Sequence, residues 1–293
     1  MMRLPKFSHK TPGFGITRNT YMTVLAAQAS LPSPVQIASP KPSNGAIQGF
    51  CVPLLGGASP EILGQPLMRG AYAVSTMDRK TVMRMLVLSK EEAGFDPAPF
   101  LRSNLAAGLD PDLLARISAT WTLMQLTFES HDPMVYSSIK FLLEICSRLA
   151  DLTGGVVADP ITRSYLLPHQ VFHSPQADPK IDARDVVQVL SKSGTEGNHV
   201  YTLGMMKFGI PEIECYQVSD PCVDATRSLL ISACQGALLG KIYRLGDRVG
   251  NPKMPLQFAP GGLDRGMWEG IECLELIPPP QKTIEECIGA WKS

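Results

Sequence analysis

The apolar positions change period twice between residues 120 and 159. Residues 120–128 alternate apolar and polar side chains and are rich in Thr, Trp and Phe, which predicts a strand. Val135, Ile139, Leu142, Leu143, Cys146, Leu149 and Ala150 then recur at helical spacing, an apolar stripe for an amphipathic helix. Asp132-Pro133 supplies an N-cap and a first-turn proline, and Gly154-Gly155 a left-handed stop before the extended run Val156-Val157-Ala158. The order repeats downstream. In residues 212–218, Ile213, Cys215 and Val218 alternate with Glu212, Glu214 and Gln217. Asp220-Pro221 then opens a helix carrying Val223, Leu229, Leu230, Ala233, Ala237 and Leu238, Gly240 ends it, and a strand is expected at 242–245. This rhyme suggests a duplicated module.

Other patterns are shorter. Residues 81–89 predict a buried strand, and Asp96-Pro97 and Asp110-Pro111 each open a short helix. Strands are expected at 161–167, 199–208, 256–258 and 267–277, helices at 183–191 and 283–291, and a turn at 193–198. The fold class is α+β: mixed or antiparallel sheets with helices packed on one face, arranged as two ferredoxin-like halves over 61–182 and 183–293. Residues 1–60 stand apart, with eight prolines, six glycines and a short helix at most, over 21–29. That composition predicts a flexible arm.

Charge sharpens this division. Five of the 27 basic residues and none of the 27 acidic ones precede Glu61, so the arm is basic and the remainder has a net charge of −5. The acid-poor arm is expected to tether a protein partner; the alternative is an organelle-targeting segment in place of a cytoplasmic location. Zero net charge overall favours neither nucleic acid nor an anionic membrane, and no apolar run predicts a membrane span. Seven cysteines without a C-x-x-C pair fit a reducing compartment.

The run from Val200 to Glu214, containing Thr202, Gly204, Met205, Phe208, Gly209, Pro211 and Glu212, resembles a strand-and-turn segment of an uncharacterised bacterial family. There it reads Thr-x-Gly-Leu/Met-x-x-Phe-Gly-x-Pro-Glu/Asp. Residues 149–159 are similar to a second pattern of that family. The resemblance implies an α+β domain and no chemistry.

Nucleotide loops, zinc-protease and esterase signatures are absent from the sequence. His169 and His173 would share one face of a helix and, with His131, His199 or Asp159, could hold a metal. Pro168 and Pro175 argue against that helix, so neither metal nor cofactor is expected. Lys192-Ser193-Gly194-Thr195, near His199, could cradle a phosphate, but the motif precedes a strand, and a turn is the simpler reading. Cys215 beside Glu214 and Cys222 beside Asp220 have acidic neighbours that oppose a reactive thiolate. Trp121, Trp268 and Trp291 read as core. The leading functional expectation is a non-catalytic binding or accessory protein. The competing one is an enzyme acting on a small polar substrate through Asp159, Arg163, His169 and His173.

Overall fold

The computed structural model describes residues 21–38, 50–51, 64–76, 82–128, 135–171, 181–264 and 266–292. Two compact units divide between Pro175 and Gln176. The fold is α+β throughout.

The first unit comprises β1 (Tyr21–Ala26), α1 (Pro34–Ala38), β2 (Phe50–Cys51), β3 (Gly70–Thr76), β4 (Val82–Ser89), α2 (Ala98–Leu101), α3 (Pro111–Ser118), β5 (Thr122–Phe128), α4 (Val135–Leu152), β6 (Val156–Asp159) and β7 (Ser164–Leu166). Its seven strands run β2-β3-β4-β5-β1-β6-β7, every neighbouring pair antiparallel. The strand–helix–strand pattern at 120–159 is therefore present as β5, α4 and β6, with β1 lying between the two strands.

That central strand corrects the expectation of a helix at 21–29 inside a flexible arm. Val24 and Leu25 are buried. The slot between β5 and β6 offers an open hydrogen-bonding ladder on both sides, and Tyr21, Thr23 and Val24 suit a pleated strand better than a helix. Residues 1–20 and 39–49, on which the tether and targeting expectations rest, lie outside the described residues.

Both faces of this sheet are covered. Leu25, Leu123 and Val156 pack with Leu113 and Ile117 of α3, while Val24, Met124, Leu126 and Val157 on the alternate positions are equally buried, and α4 packs on β1 and β6. Asp110 caps α3 by accepting from Asp112 N at 2.8 Å. Gly154 takes the left-handed conformation at the end of α4, φ +60°. A side chain on Gly155 would sit 2.0 Å from the Leu25 carbonyl oxygen, so glycine is required there by close backbone approach.

The second unit comprises α5 (Ala183–Val186), β8 (Gln188–Gly194), β9 (Gly197–Leu203), β10 (Glu212–Val218), α6 (Val223–Leu238), β11 (Arg248–Asn251), β12 (Met254–Pro260), β13 (Cys273–Ile277) and α7 (Ile284–Lys292). Its strand order is β11-β12-β13-β10-β9-β8, antiparallel except for the parallel pair β10–β13. Helix α6 packs on β8, β9 and β10, and α7 on β10, β11 and β12, the two helices also touching each other.

Neither sheet, of seven or six strands, is a four-stranded ferredoxin-like half. The duplication fails as well. Strands β5 and β6 both pair with β1, whereas β11, the first strand after α6, lies at the sheet edge three strands from β10. No strand forms at 242–245. Asp220 also departs from expectation: Asp220–Cys222 is a 3-10 turn leading into α6, and its carboxylate accepts from Asn198 Nδ2 at 2.7 Å instead of capping the helix.

Candidate functional site

Strands β8, β9, β10 and β13 lie side by side, and their registers bring a set of polar residues onto one sheet face. Lys192 is opposite His199, Tyr201 is opposite Glu214, and Glu214 is opposite Glu275. Residues directly opposite each other on paired strands point the same way. The apolar alternates Val200, Ile213 and Cys215 face the core.

Glu214 anchors the arrangement. It is 0% exposed, and its carboxylate accepts from His199 Nε2 at 2.9 Å, Trp268 Nε1 at 2.8 Å and Gly262 N at 2.6 Å. Burial pushes this carboxyl up, but the bonds from His199, Gly262 and Trp268 together hold it below the usual carboxylate range. An ionised Glu214 requires the proton on His199 Nε2. Nδ1 has no hydrogen-bond partner among the described residues, and it is the ring nitrogen left for another group. The imidazole stacks on Tyr216, ring centroids 4.1 Å apart and planes 8° from parallel, and touches Tyr201 at 4.8 Å. Tyr201 meets the edge of Trp268 at 5.8 Å. The His199 ring is thereby fixed by one hydrogen bond and two aromatic neighbours.

The loop after β12 completes the site. Gly261 passes so close that a side chain there would meet Glu214 Oε1 at 2.8 Å and Glu275 N at 2.9 Å. Gly262, at φ +81°, turns the backbone so that its N–H reaches the carboxylate. Trp268 then closes a small apolar cluster with Tyr201 and Leu203.

His199 and Tyr216 line a cavity of about 540 Å³ with Lys192, Thr195, Glu196, Asp264 and Glu275, and with Ile277 and Pro278 as partly exposed apolar residues. That volume is within the range of small-molecule sites. Burial first and then the charge of Glu214 raise the Glu275 carboxyl, with His199 opposing. Burial and Glu214 likewise raise the Tyr216 phenol. A second, apolar cavity of about 40 Å³ beside Pro211 and Tyr243 holds no more than a few water-sized groups.

Glu212, two residues from Glu214, has a different task. It is fully buried, and its carboxylate accepts from Thr202 Oγ1 at 2.7 Å, Gly204 N at 2.8 Å and Met206 N at 3.1 Å. Burial raises its carboxyl. It pins the turn from β9 into the 3-10 segment Met205–Phe208. Thr202, Gly204 and Glu212 of the resemblance segment are therefore hydrogen-bonded parts of one turn.

The cluster expected from sequence lies in the first unit. Asp159 is buried at the end of β6, where Oδ1 accepts from Ile161 N and Thr162 N. Arg163 is exposed at φ +56°, and His169 is exposed in the 3-10 turn Pro168–Gln170. His131 and His173 lie outside the described residues, and neither cavity above is lined by Asp159, Arg163 or His169. Among the described residues no group of three His, Cys, Asp or Glu side chains is placed to hold a metal ion. Of the expected turn Lys192-Ser193-Gly194-Thr195, the first three residues are the end of β8, paired with β9, and the hairpin turn is Thr195-Glu196, on the cavity rim. Burial pushes the Cys215 thiol far up. Trp121, read as core, is 64% exposed.

No protein-family model matches the chain, and no curated protein or solved structure shows significant similarity to it. Among the described residues no helix is long and apolar enough to cross a membrane.

Proposed function

We propose that the second unit binds a small polar molecule in the cavity bounded by His199, Tyr216 and Glu275, with the His199 imidazole as its fixed contact. The observation that supports this most is the engagement of Glu214. A fully buried carboxylate is costly to desolvate, yet here it accepts from His199, Trp268 and Gly262 and so holds an imidazole at a cavity wall. A histidine needed only for packing would not require a buried charge behind it. Pre-orientation of this kind lowers the ordering cost of binding, so the reading is that of a binding protein whose ligand is a small molecule in the second unit, where the sequence led to the expectation of a protein partner.

The test is ligand-observed NMR on the full chain with a panel of small carboxylates, phosphate esters, polyols and amines, repeated on His199→Ala. At least one class should bind the wild type, and its affinity should fall about tenfold when a contact to a polarised imidazole is lost. Binding that His199→Ala leaves unchanged, or no binding by any class, would refute the proposal.

A further inference from the structure

We propose that the ligand is a small aliphatic ammonium compound, a primary amine with a short apolar body, and that Glu275 is the carboxylate that holds its nitrogen. This inference rests on the small-ligand reading above and names the chemistry that the cavity selects.

Glu214 and Glu275 are directly opposite on the parallel pair β10–β13, an arrangement in which like charges repel. The two carboxylates are served very unequally. Glu214 receives three donors, whereas no donor among the described residues reaches the carboxylate of Glu275, which lines the cavity. The nearest basic group, His199, has its proton-bearing Nε2 turned to Glu214.

Lys192 is the only lysine or arginine among the described lining residues. It lies on β8, three strands away from β13. At strand spacings of about 4.8 Å, its backbone is roughly 14 Å from that of Glu275, and the charges acting on the Glu275 carboxyl are those of Glu214 and His199. Glu196 and Asp264 add negative charge on the rim, so the described lining holds three carboxylates against one lysine. An ammonium group brings the charge and the N–H donors that Glu275 lacks. Ile277 and Pro278, both partly exposed on the same cavity, provide an apolar surface for a short carbon chain.

Calorimetric titration of the full-length protein with three near-isosteric probes, n-butylammonium, butanol and butyrate, tests this directly. Butylammonium should bind with roughly millimolar affinity, as a ligand of its size allows, and butyrate at least about tenfold more weakly. Glu275→Gln, which keeps the side-chain shape, should reduce butylammonium affinity about tenfold and leave butanol within about twofold of wild type. The butanol measurement also reports that the variant's cavity is intact. If butyrate or butanol binds as well as butylammonium, or if Glu275→Gln binds butylammonium like the wild type, the amine assignment is overturned and the small-ligand reading stands. If none of the three probes binds, the amine assignment is overturned, and the small-ligand reading is overturned with it only if the wider panel of carboxylates, phosphate esters, polyols and amines also fails to bind.

Discussion

Replacing Glu214 by Gln alters one heavy atom and removes one acceptor from a site that serves three donors. Oε2 accepts from both His199 Nε2 and Trp268 Nε1, while Oε1 accepts from Gly262 N. Whichever way the amide of the variant is set, its NH2 faces at least one N–H. With the NH2 toward His199 and Trp268, the imidazole can change tautomer and accept, but the indole can only donate. With the NH2 toward Gly262, the backbone N–H loses its acceptor.

At least one buried donor is therefore left unpaired, at about 1–3 kcal/mol. The stronger charge-assisted character of the remaining bonds is lost as well. A total loss of about 2–4 kcal/mol follows from the unpaired donor and the weakened bonds together. Urea denaturation of the full chain, followed separately by near-UV circular dichroism and by resonances of the second unit, measures it. A Glu214→Gln protein whose second unit unfolds within about 0.5 kcal/mol of wild type, the range of an ordinary surface change, would show that Glu214 is not the anchor described here.

The pH dependence of that unit has two limbs. Glu214 is held below its ordinary value of 4.5, so its contribution is complete above that pH and is lost as pH falls through its folded-state pKa. Denaturation between about pH 5 and pH 3 should then weaken the wild type more than Glu214→Gln. Glu212 is shifted upward by burial, so its contribution is complete below 4.5 and lost as pH rises through its folded-state pKa; Glu212→Gln should flatten this upper limb in the same titration. In the first unit, Gly155→Ala forces a methyl group against the Leu25 carbonyl and should cost about 1–3 kcal/mol or more, read as a lowered denaturation midpoint. Asp110→Ala removes the cap on α3 and should cost about 1 kcal/mol by the same assay.

Much of the architecture is legible because it rests on local periodicity. The stripe from Val135 to Ala150 and the Gly154-Gly155 stop describe α4 without knowledge of its neighbours, and the alternation of 212–218 describes β10. Tyr21–Ala26 was not legible, because six residues with no clear period become a strand only when β5 and β6 flank them. Strand order escaped for the same reason: insertion of β1 between β5 and β6 is a long-range event.

The site was legible only in fragments. Alternation placed Glu212, Glu214 and Gln217 together as a polar face, which from sequence reads as solvent-exposed; in the fold both glutamates are buried. In the sequence His199 stands only near the Lys192–Thr195 motif, and Trp268 reads as a core residue. What joins them to Glu214 is the register of β9 on β10 and the return of the chain through Gly261-Gly262, a contact spanning 54 residues from Glu214 to Trp268. One signal was available: a hairpin across the turn at 204–211 places His199 and Glu214 on the same sheet face once the strands pair.

The most direct test of the account is the nitrogen NMR of the His199 imidazole, followed while n-butylammonium is added to the full chain. The account predicts a slowly exchanging Nε2–H, retained throughout, and a non-protonated Nδ1 whose resonance moves as the cavity fills. A proton on Nδ1 in the free protein, or ligand binding that leaves both ring nitrogens unmoved, would contradict it.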